Sequence, residues 1–351
     1  MKKITTIGII GGGQLGRMIC FSAHRMGYKT VVFSDVENSP ASFVTNQTIV
    51  AKYSDKNALK KFAKMVDVAT FEFENIPFET ANFVASQTSL FPSAEVLKIT
   101  QNRILEKTFL NSIKVKTAQF AEIKTLDELQ KNLKKFSKAI LKTATMGYDG
   151  KGQFVLKTAV DADKAWSQAK GQKLILEKFC PFDSEISVMV ARSSKGEISA
   201  YEPLKNIHKN GILDKSIYPA KISKALQTKA QKLATKIAKE IDLVGILAVE
   251  MFVIGNELLV NELAPRPHNS GHFSMDANVT SQFEQVVRAI TGQKLGAVKF
   301  HSKGFMKNLI GDEVKNLKIF EKNPKAKIHL YGKDKIAEGR KMGHVNILNS
   351  N

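Results

Sequence analysis

Cysteine is nearly missing: Cys20 and Cys180 are the only two in 351 residues. Neither has a CxxC or a histidine beside it. That excludes a disulfide framework and a zinc ribbon, and it fits a reducing compartment. Both are expected to serve as small buried hydrophobes. Long apolar runs are also missing. The early stretch from Ile7 to Ile10 is broken by Gly8 and then by Gly11, Gly12 and Gly13. It is too short for a signal-peptide core or a membrane span, so we expect a cytoplasmic protein without a membrane partner. Internal repeats and low-complexity linkers are absent, which excludes solenoid and tethered architectures. Acidic residues are outnumbered, 33 against 53 basic ones, for a formal net charge of +20. Such a balance can serve nucleic acid. Here the lysines are scattered over helix faces (Lys60, Lys61 and Lys64; Lys229, Lys232, Lys236 and Lys239) with no aromatic interleaving and no RNA- or DNA-binding motif. We therefore expect no nucleic-acid partner, only attraction for small anionic substrates.

What is present is an ordinary globular composition, 43% hydrophobic and 25% charged, long enough for two or three compact units. The start reads as a βαβ unit. A strand runs from Ile4 to Ile10, and the turn Gly11-Gly12-Gly13-Gln14-Leu15-Gly16 leads into a helix ended by Gly27. A second strand, from Thr30 to Ser34, precedes Asp35. This matches GxGxxG with a following acidic residue, and an NAD-dependent dehydrogenase is one reading of it. The β-like runs stop near residue 95, too early for a complete six-stranded dinucleotide fold. A helix is expected over 95–112. A small α+β region follows, with strands at Ala139 to Lys142, Gln153 to Leu156 and Leu174 to Lys178. The apolar stripe Leu226, Ala230, Leu233, Ile237 and Ile241 predicts a helix.

Four features in fixed order carry chemistry. Lys142 lies in a strand-like run. The loop Gly147-Tyr148-Asp149-Gly150-Lys151-Gly152-Gln153 has three glycines in seven residues. Glu177 and Glu185 come next, then the pair Glu250 and Glu262. A P-loop would place its lysine at the end of the glycine loop; here the lysine comes first. A flexible backbone can cover triphosphate oxygens, and Lys142 supplies a point charge for the α- and β-phosphates. Glu250 and Glu262 sit inside apolar runs around Gly255-Asn256, a hairpin signal. Carboxylates across a hairpin can clamp Mg²⁺, which keeps phosphates and waters as the rest of its shell. A strict two-residue turn would point Glu262 to the wrong face. One extra residue, as a longer loop or a bulge, restores the pair. Asn261 is a further ligand or polar support. This order resembles the ATP-grasp superfamily.

The segment Glu262-Leu263-Ala264-Pro265-Arg266-Pro267-His268-Asn269-Ser270-Gly271-His272 crowds an arginine and two histidines into a proline-fixed turn. Its prolines argue against a helical zinc motif. Arg266 and His272 suit anion handling. Lys333 and Arg340, on short loops near the end, suit a phosphomonoester.

Together with Gly12-Gly13-Gln14-Leu15-Gly16-Arg17-Met18 and Gly339-Arg340-Lys341-Met342-Gly343-His344, these segments resemble the 5-(carboxyamino)imidazole ribonucleotide synthase family over nearly the whole chain. The resemblance implies an ATP-grasp fold of mixed α/β and α+β class. It divides the chain into a Rossmann-like N-terminal domain at 1–95, an ATP-grasp domain at 96–295 with a lid at about 116–180, and a small β-rich C-terminal domain at 296–351. It implies a carbon–nitrogen ligase of purine biosynthesis, a homodimer. The enzyme would carboxylate 5-aminoimidazole ribonucleotide with ATP, Mg²⁺ and bicarbonate, through carboxyphosphate. By the same resemblance ATP is held by Arg103, Lys142, Gly147, Tyr148, Asp149, Gly150, Lys151, Gly152, Gln153, Glu177, Lys178, Phe179, Cys180, Glu185, His208, Asn261 and Glu262. The stretch 177–180 offers backbone groups to adenine, and Glu185 takes the ribose. The ribonucleotide faces Gln14, Leu15, Tyr148, Asp149, Lys151 and Asn269, with Lys333 and Arg340 on its 5′-phosphate. Asp149, Arg266, His272, Lys333 and Arg340 are the catalytic candidates, and Glu250 and Glu262 the metal ligands. A formate-dependent glycinamide ribonucleotide transformylase or another ATP-grasp ligase is the nearest alternative.

Overall fold

The computed structural model describes residues 4–147, 152–169 and 171–349. These form three sheets. The first is parallel, five strands in the order Gln47–Val50, Lys29–Ser34, Thr6–Ile10, Val68–Phe71, Ser89–Leu90. Its strands are near-continuous apolar runs because helices cover both faces. The helix Gln14–Arg25 has no side-chain cap of its own. Glu72, just past the end of Val68–Phe71, supplies one: its carboxylate accepts the Gly13 N–H at 2.9 Å and the Gly16 N–H at 3.2 Å.

The second sheet is antiparallel, in the order Phe120–Ile123, Leu174–Lys178, Ala139–Thr143, Gln153–Leu156. Helices Leu126–Phe136 and Ala159–Ala169 close a separate small core on it, with Trp166 at its margin. Ile140 pairs with Glu177 and Lys142 with Ile175. Paired residues share a face, and so do residues two apart along a strand. Lys142 and Glu177 therefore meet diagonally on one surface.

The third sheet has nine strands. Glu257–Ala264, Gly245–Ile254 and Ser184–Arg192 lie at one end, and Lys303–Ile310, Lys341–Asn349 and Ala326–Leu330 at the other. The last three strands of the chain thus extend the sheet that carries Glu250. Helix Lys224–Glu240 packs on it through the predicted apolar stripe. Helix Gln282–Ile290 packs through Phe283, Val286 and Val287, in one core with Ile7, Ile19 and Ala23 of the N-terminal unit. This shared core fixes the parallel sheet against the long one and sets the width of the cleft between them. Among the described residues no helix is long and apolar enough to cross a membrane.

Two expectations need correction, and one pair of strands was not foreseen. The stretch 95–112 is two helices, Ala94–Thr100 and Arg103–Ser112. Asn102 breaks it because its side chain accepts the N–H groups of Ile104 and Leu105 and so starts a new helix. Cys20 is buried as expected, but Cys180 is half-exposed, its thiol directed at the Lys178 carbonyl. The strands Leu204–Lys209 and Ile212–Tyr218 were not legible, because several of their buried positions are polar, Asn206, Asp214 and Ser216.

Candidate active site

A cleft of about 650 Å³ opens where the three sheets meet. One end of it is formed by the hairpin 245–264. Ile254 pairs with Glu257 across the two-residue turn, yet Met251 pairs with Val260 and Glu250 with Glu262. The extra residue is Asn261, a bulge in the second strand. The two carboxylates therefore face the same way, as the sequence required. Glu185, opposite Phe252 on the neighbouring strand, joins them on that face. Burial pushes the Glu250 carboxyl well above the usual range, and the Glu185 and Glu262 charges push it further. A divalent cation relieves this repulsion, so the donor set fits Mg²⁺. Among the described residues no three His, Cys, Asp or Glu side chains form a ready-made cage. Two carboxylates completed by phosphate oxygens and water match how Mg²⁺ is held.

Arg103 connects this end to the four-stranded sheet. Its guanidinium donates to the carbonyls of Thr143 (3.4 Å) and Gly147 (3.3 Å) and reaches Glu262 at 3.4 Å. A Cβ on Gly147 would stand 2.9 Å from Arg103 Nη1, so the glycine lets the loop approach the arginine. Lys142 donates to Glu177 at 2.9 Å, and Lys107, buried on the helix Arg103–Ser112, faces the other oxygen at 3.5 Å. Burial alone would raise the Glu177 carboxyl, but Lys107 and Lys142 outweigh it and hold it below the usual range. Glu177 is thus an ionised strut between two lysines. His208 lies 3.2 Å from Glu185. Gln153, Ile140, Phe182 and Phe252 complete this half of the cleft, the two phenyl rings stacked at 4.5 Å. Lys178, Phe179 and Cys180 do not line it. The Phe179 N–H is taken by the Lys138 carbonyl, and the Lys138 ammonium covers its ring. Tyr148, Asp149, Gly150 and Lys151 lie outside the described residues.

At the opposite end, Gln14 and Leu15 face the cleft with Glu72, Glu74, Arg266, His268, Asn269 and Lys341. A Cβ on Gly13 would meet Glu72 Oε1 at 2.5 Å, so the helix start and the carboxylate are mutually fitted. Because Glu72 fills the anion site at this helix N-terminus, a dinucleotide pyrophosphate has no place there. The dehydrogenase reading fails on that geometry. Arg266 is half-buried and ion-paired with Glu74, while its Nη1 donates to the Pro267 carbonyl at 3.0 Å. Asn269 exchanges two amide hydrogen bonds with the buried Asn308, at 2.7 and 2.9 Å.

The histidine expected to be catalytic lies away from the cleft. His272 is 1% exposed and does not reach the cleft. Its Nδ1 meets Gln282 at 2.9 Å and its ring packs 4.7 Å from that of His344. Of the two histidines in this segment, His268 is the one that lines the cleft. Its Nδ1 accepts the Ser270 N–H at 3.3 Å, which leaves the ring proton on Nε2, 3.6 Å from Glu250 Oε1. Burial, with Arg266 and Lys341 nearby, pushes this imidazole well below its usual range, so it is neutral. His268 caps the short 3-10 helix Asn269–Phe273, and spacing alone does not tell which histidine faces inward. Gln282 fixes the choice. Its side chain binds the His268 N–H, the His268 carbonyl and His272. The tail cations also differ from expectation. Lys333 donates to the Lys341 carbonyl at 2.8 Å, and Arg340 is exposed, donating to the Lys335 carbonyl at 2.7 Å. Lys341 is the tail residue that lines the cleft.

The sequence reading missed Lys107, Glu72, Glu74, His268, Lys341, Phe182 and Phe252. One signal was present: Arg103, Glu106 and Lys107 stand at i, i+3 and i+4, a charged stripe on a helix whose neighbours are apolar.

Comparison with known proteins agrees with this geometry. The ribonucleotide synthetase preATP-grasp domain matches residues 4–101, the ATP-grasp domain 108–283, and the phosphoribosylaminoimidazole carboxylase C-terminal domain 304–351. The chain is 46% identical to the N5-carboxyaminoimidazole ribonucleotide synthase of Bacillus subtilis (strain 168), over 97% of this chain and 91% of that protein. A crystal structure of the ADP complex of an N5-carboxyaminoimidazole ribonucleotide synthetase superposes with a TM-score of 0.96 at 42% identity, over 100% of this chain and 95% of the other. The Aspergillus clavatus synthase in complex with ADP and 5-aminoimidazole ribonucleotide superposes at 0.93 and 30% identity, over 99% and 95%.

Proposed function

This chain belongs to the N5-carboxyaminoimidazole ribonucleotide synthase family, and on that premise we propose how its cleft joins ATP, bicarbonate and 5-aminoimidazole ribonucleotide. It is an ATP-grasp ligase of purine biosynthesis. A bicarbonate oxygen attacks the γ-phosphorus of ATP, the bond to the β-bridging oxygen breaks, and ADP leaves. The resulting carboxyphosphate releases phosphate and CO₂, and the ribonucleotide's exocyclic amine captures the carbon and gives up a proton. The observation that carries this reading is Glu250 facing Glu262 across the bulged hairpin, with the Arg266 guanidinium lining the same cleft.

Each half of the cleft has its part. The adenine lies against Ile140, Phe182 and Phe252, and Glu185 with His208 takes the ribose hydroxyls. Lys142, oriented by Glu177, meets the phosphates as a point charge. Glu250 and Glu262 would hold Mg²⁺, which when bound offsets charge on the transferring phosphoryl group. Little covalent work falls to the side chains, so positioning and electrostatics dominate. Arg266 carries the fixed positive charge for bicarbonate. Neutral His268 points an Nε2–H toward the same space and, with its partner carboxyl, holds a proton there. Asn269, Gln14 and Leu15 face the ribonucleotide, and Lys341 joins Lys333 and Arg340 as the cationic end for its 5′-phosphate. Tyr148, Asp149 and Lys151 of the glycine loop belong to the same proposal, as do a homodimeric state, a cytoplasmic location and domain limits near residues 95 and 296.

ADP release with Mg-ATP and bicarbonate tests the reading. Stimulation by 5-aminoimidazole ribonucleotide, and none by glycinamide ribonucleotide with formate, is expected. The reverse pattern would reassign the chain to the sister transformylase.

A further inference from the structure

The bulge that sets Glu262 opposite Glu250 carries a cost. Asn261 has no ladder partner on the strand Gly245–Ile254, and its unpaired backbone must be satisfied elsewhere. One helix does this. From Arg103–Ser112, Lys107 Nζ donates to the Asn261 carbonyl at 3.2 Å. The adjacent Glu106 accepts the Leu263 N–H at 3.0 Å. These are the two peptide groups on either side of Glu262. One turn earlier on the same helix face, Arg103 reaches the Glu262 carboxylate itself at 3.4 Å. Glu106 and Lys107 are each 1% exposed. Two adjacent ionisable side chains so deeply buried are expensive, and stability alone gives no reason to keep them. Lys107 also faces Glu177 at 3.5 Å, whose other oxygen holds Lys142.

We propose that Glu106 and Lys107 are positioning residues that bracket the backbone of Glu262, hold its carboxylate in register against Glu250, and tie that register to the Glu177–Lys142 pair in the nucleotide half of the cleft. The inference rests on the reading of Glu262 as a cation ligand. The bulge gives the carboxylate its direction, and the helix removes its freedom to turn back. Burial of Glu106, together with the Glu262 charge, pushes its carboxyl up to about 8, against the pull of Lys107. Glutamine keeps the length of this side chain and its acceptor for the Leu263 N–H, so it preserves the bracket.

The test is Mn²⁺ binding to the full-length protein in the presence of ADP, followed by the electron paramagnetic resonance signal of the free ion. Loss of a group that orients a metal ligand costs about 10-fold to 100-fold in metal affinity. Glu106→Leu and Lys107→Met are expected to weaken Mn²⁺ binding by about tenfold or more, while Glu106→Gln stays within about twofold of wild type. Glu262→Gln serves as the reference. If it weakens Mn²⁺ binding while Lys107→Met and Glu106→Leu bind as wild type, the bracket is refuted and the metal reading stands, even if those variants melt at lower temperature. If Glu262→Gln itself binds Mn²⁺ as wild type, the metal reading falls and the bracket with it. Should Glu106→Leu fail to fold, Lys107→Met set against Glu106→Gln still decides the matter.

Discussion

Replacing Glu106 by glutamine should change how stability depends on pH. In the unfolded chain its carboxyl ionises near 4.5; in the fold, burial and the neighbouring Glu262 push it up to about 8. Between those values the folded protein binds the proton and the unfolded chain does not. Stability from this group is therefore fully present below pH 4.5 and is lost as pH rises through 8. At 1.36 kcal/mol per pH unit, the loss is about 3 kcal/mol by pH 7 and about 5 kcal/mol above pH 8. Glutamine does not ionise and keeps the acceptor for the Leu263 N–H, so it escapes the loss. For a chain of this length 1 kcal/mol corresponds to about 1.5 °C in melting temperature. The Glu106→Gln variant should thus gain roughly 4–5 °C on wild type between pH 4.5 and 7. Differential scanning calorimetry of both proteins across that range, in matched buffers and without ligand, measures it. Parallel curves would refute the reasoning. They would mean that Lys107 keeps Glu106 ionised and that the pair folds as a salt bridge.

Other expectations follow from the same geometry. Glu262→Gln should abolish turnover at an unchanged circular dichroism spectrum; wild-type turnover would remove Glu262 from the metal site. Gly13→Ala should destabilise the protein by about 1–3 kcal/mol in urea titration, because the new Cβ displaces the Glu72 carboxylate from its two N–H donors. Gln282→Ala removes three hydrogen bonds from the turn that aims His268, worth about 3 kcal/mol together, and should lower kcat as well as stability. Lys341→Met should raise the Michaelis constant for the ribonucleotide well above its effect on that for ATP, and by more than Arg340→Ala does. Equal effects on both substrates would take Lys341 out of the phosphate end.

The legible part of the site was the part written in strands. Period-two alternation places Glu250 and Glu262 inside apolar runs, and the two-residue turn forces the conclusion that an extra residue is needed. Register arithmetic therefore asks for one extra residue, in the loop or as a bulge, and the fold places it as a bulge at Asn261. The same alternation puts Ile140 and Lys142 on one face. Turns and helix faces were less legible. In 265–272 the prolines set the path, but which histidine looks inward depends on Gln282, ten residues past His272 and on another element. On the helix Arg103–Ser112 the charged stripe was visible as a pattern. Its burial was not, because that depends on the second strand of the hairpin lying against it.

Local chemistry thus determined the elements, the order of cation, loop and carboxylates, and the family resemblance, since each follows from residue type and spacing along the chain. The Rossmann-like turn was local too, and its ambiguity could not be resolved locally. Whether that helix N-terminus takes a pyrophosphate or a carboxylate depends on Glu72, brought from 59 residues beyond Gly13 by the pairing of the strands Thr6–Ile10 and Val68–Phe71. Tertiary structure decided that choice, the inward histidine, and the bracket around Glu262. In each case a charged or polar group meets its partner only after long-range packing has removed both from water.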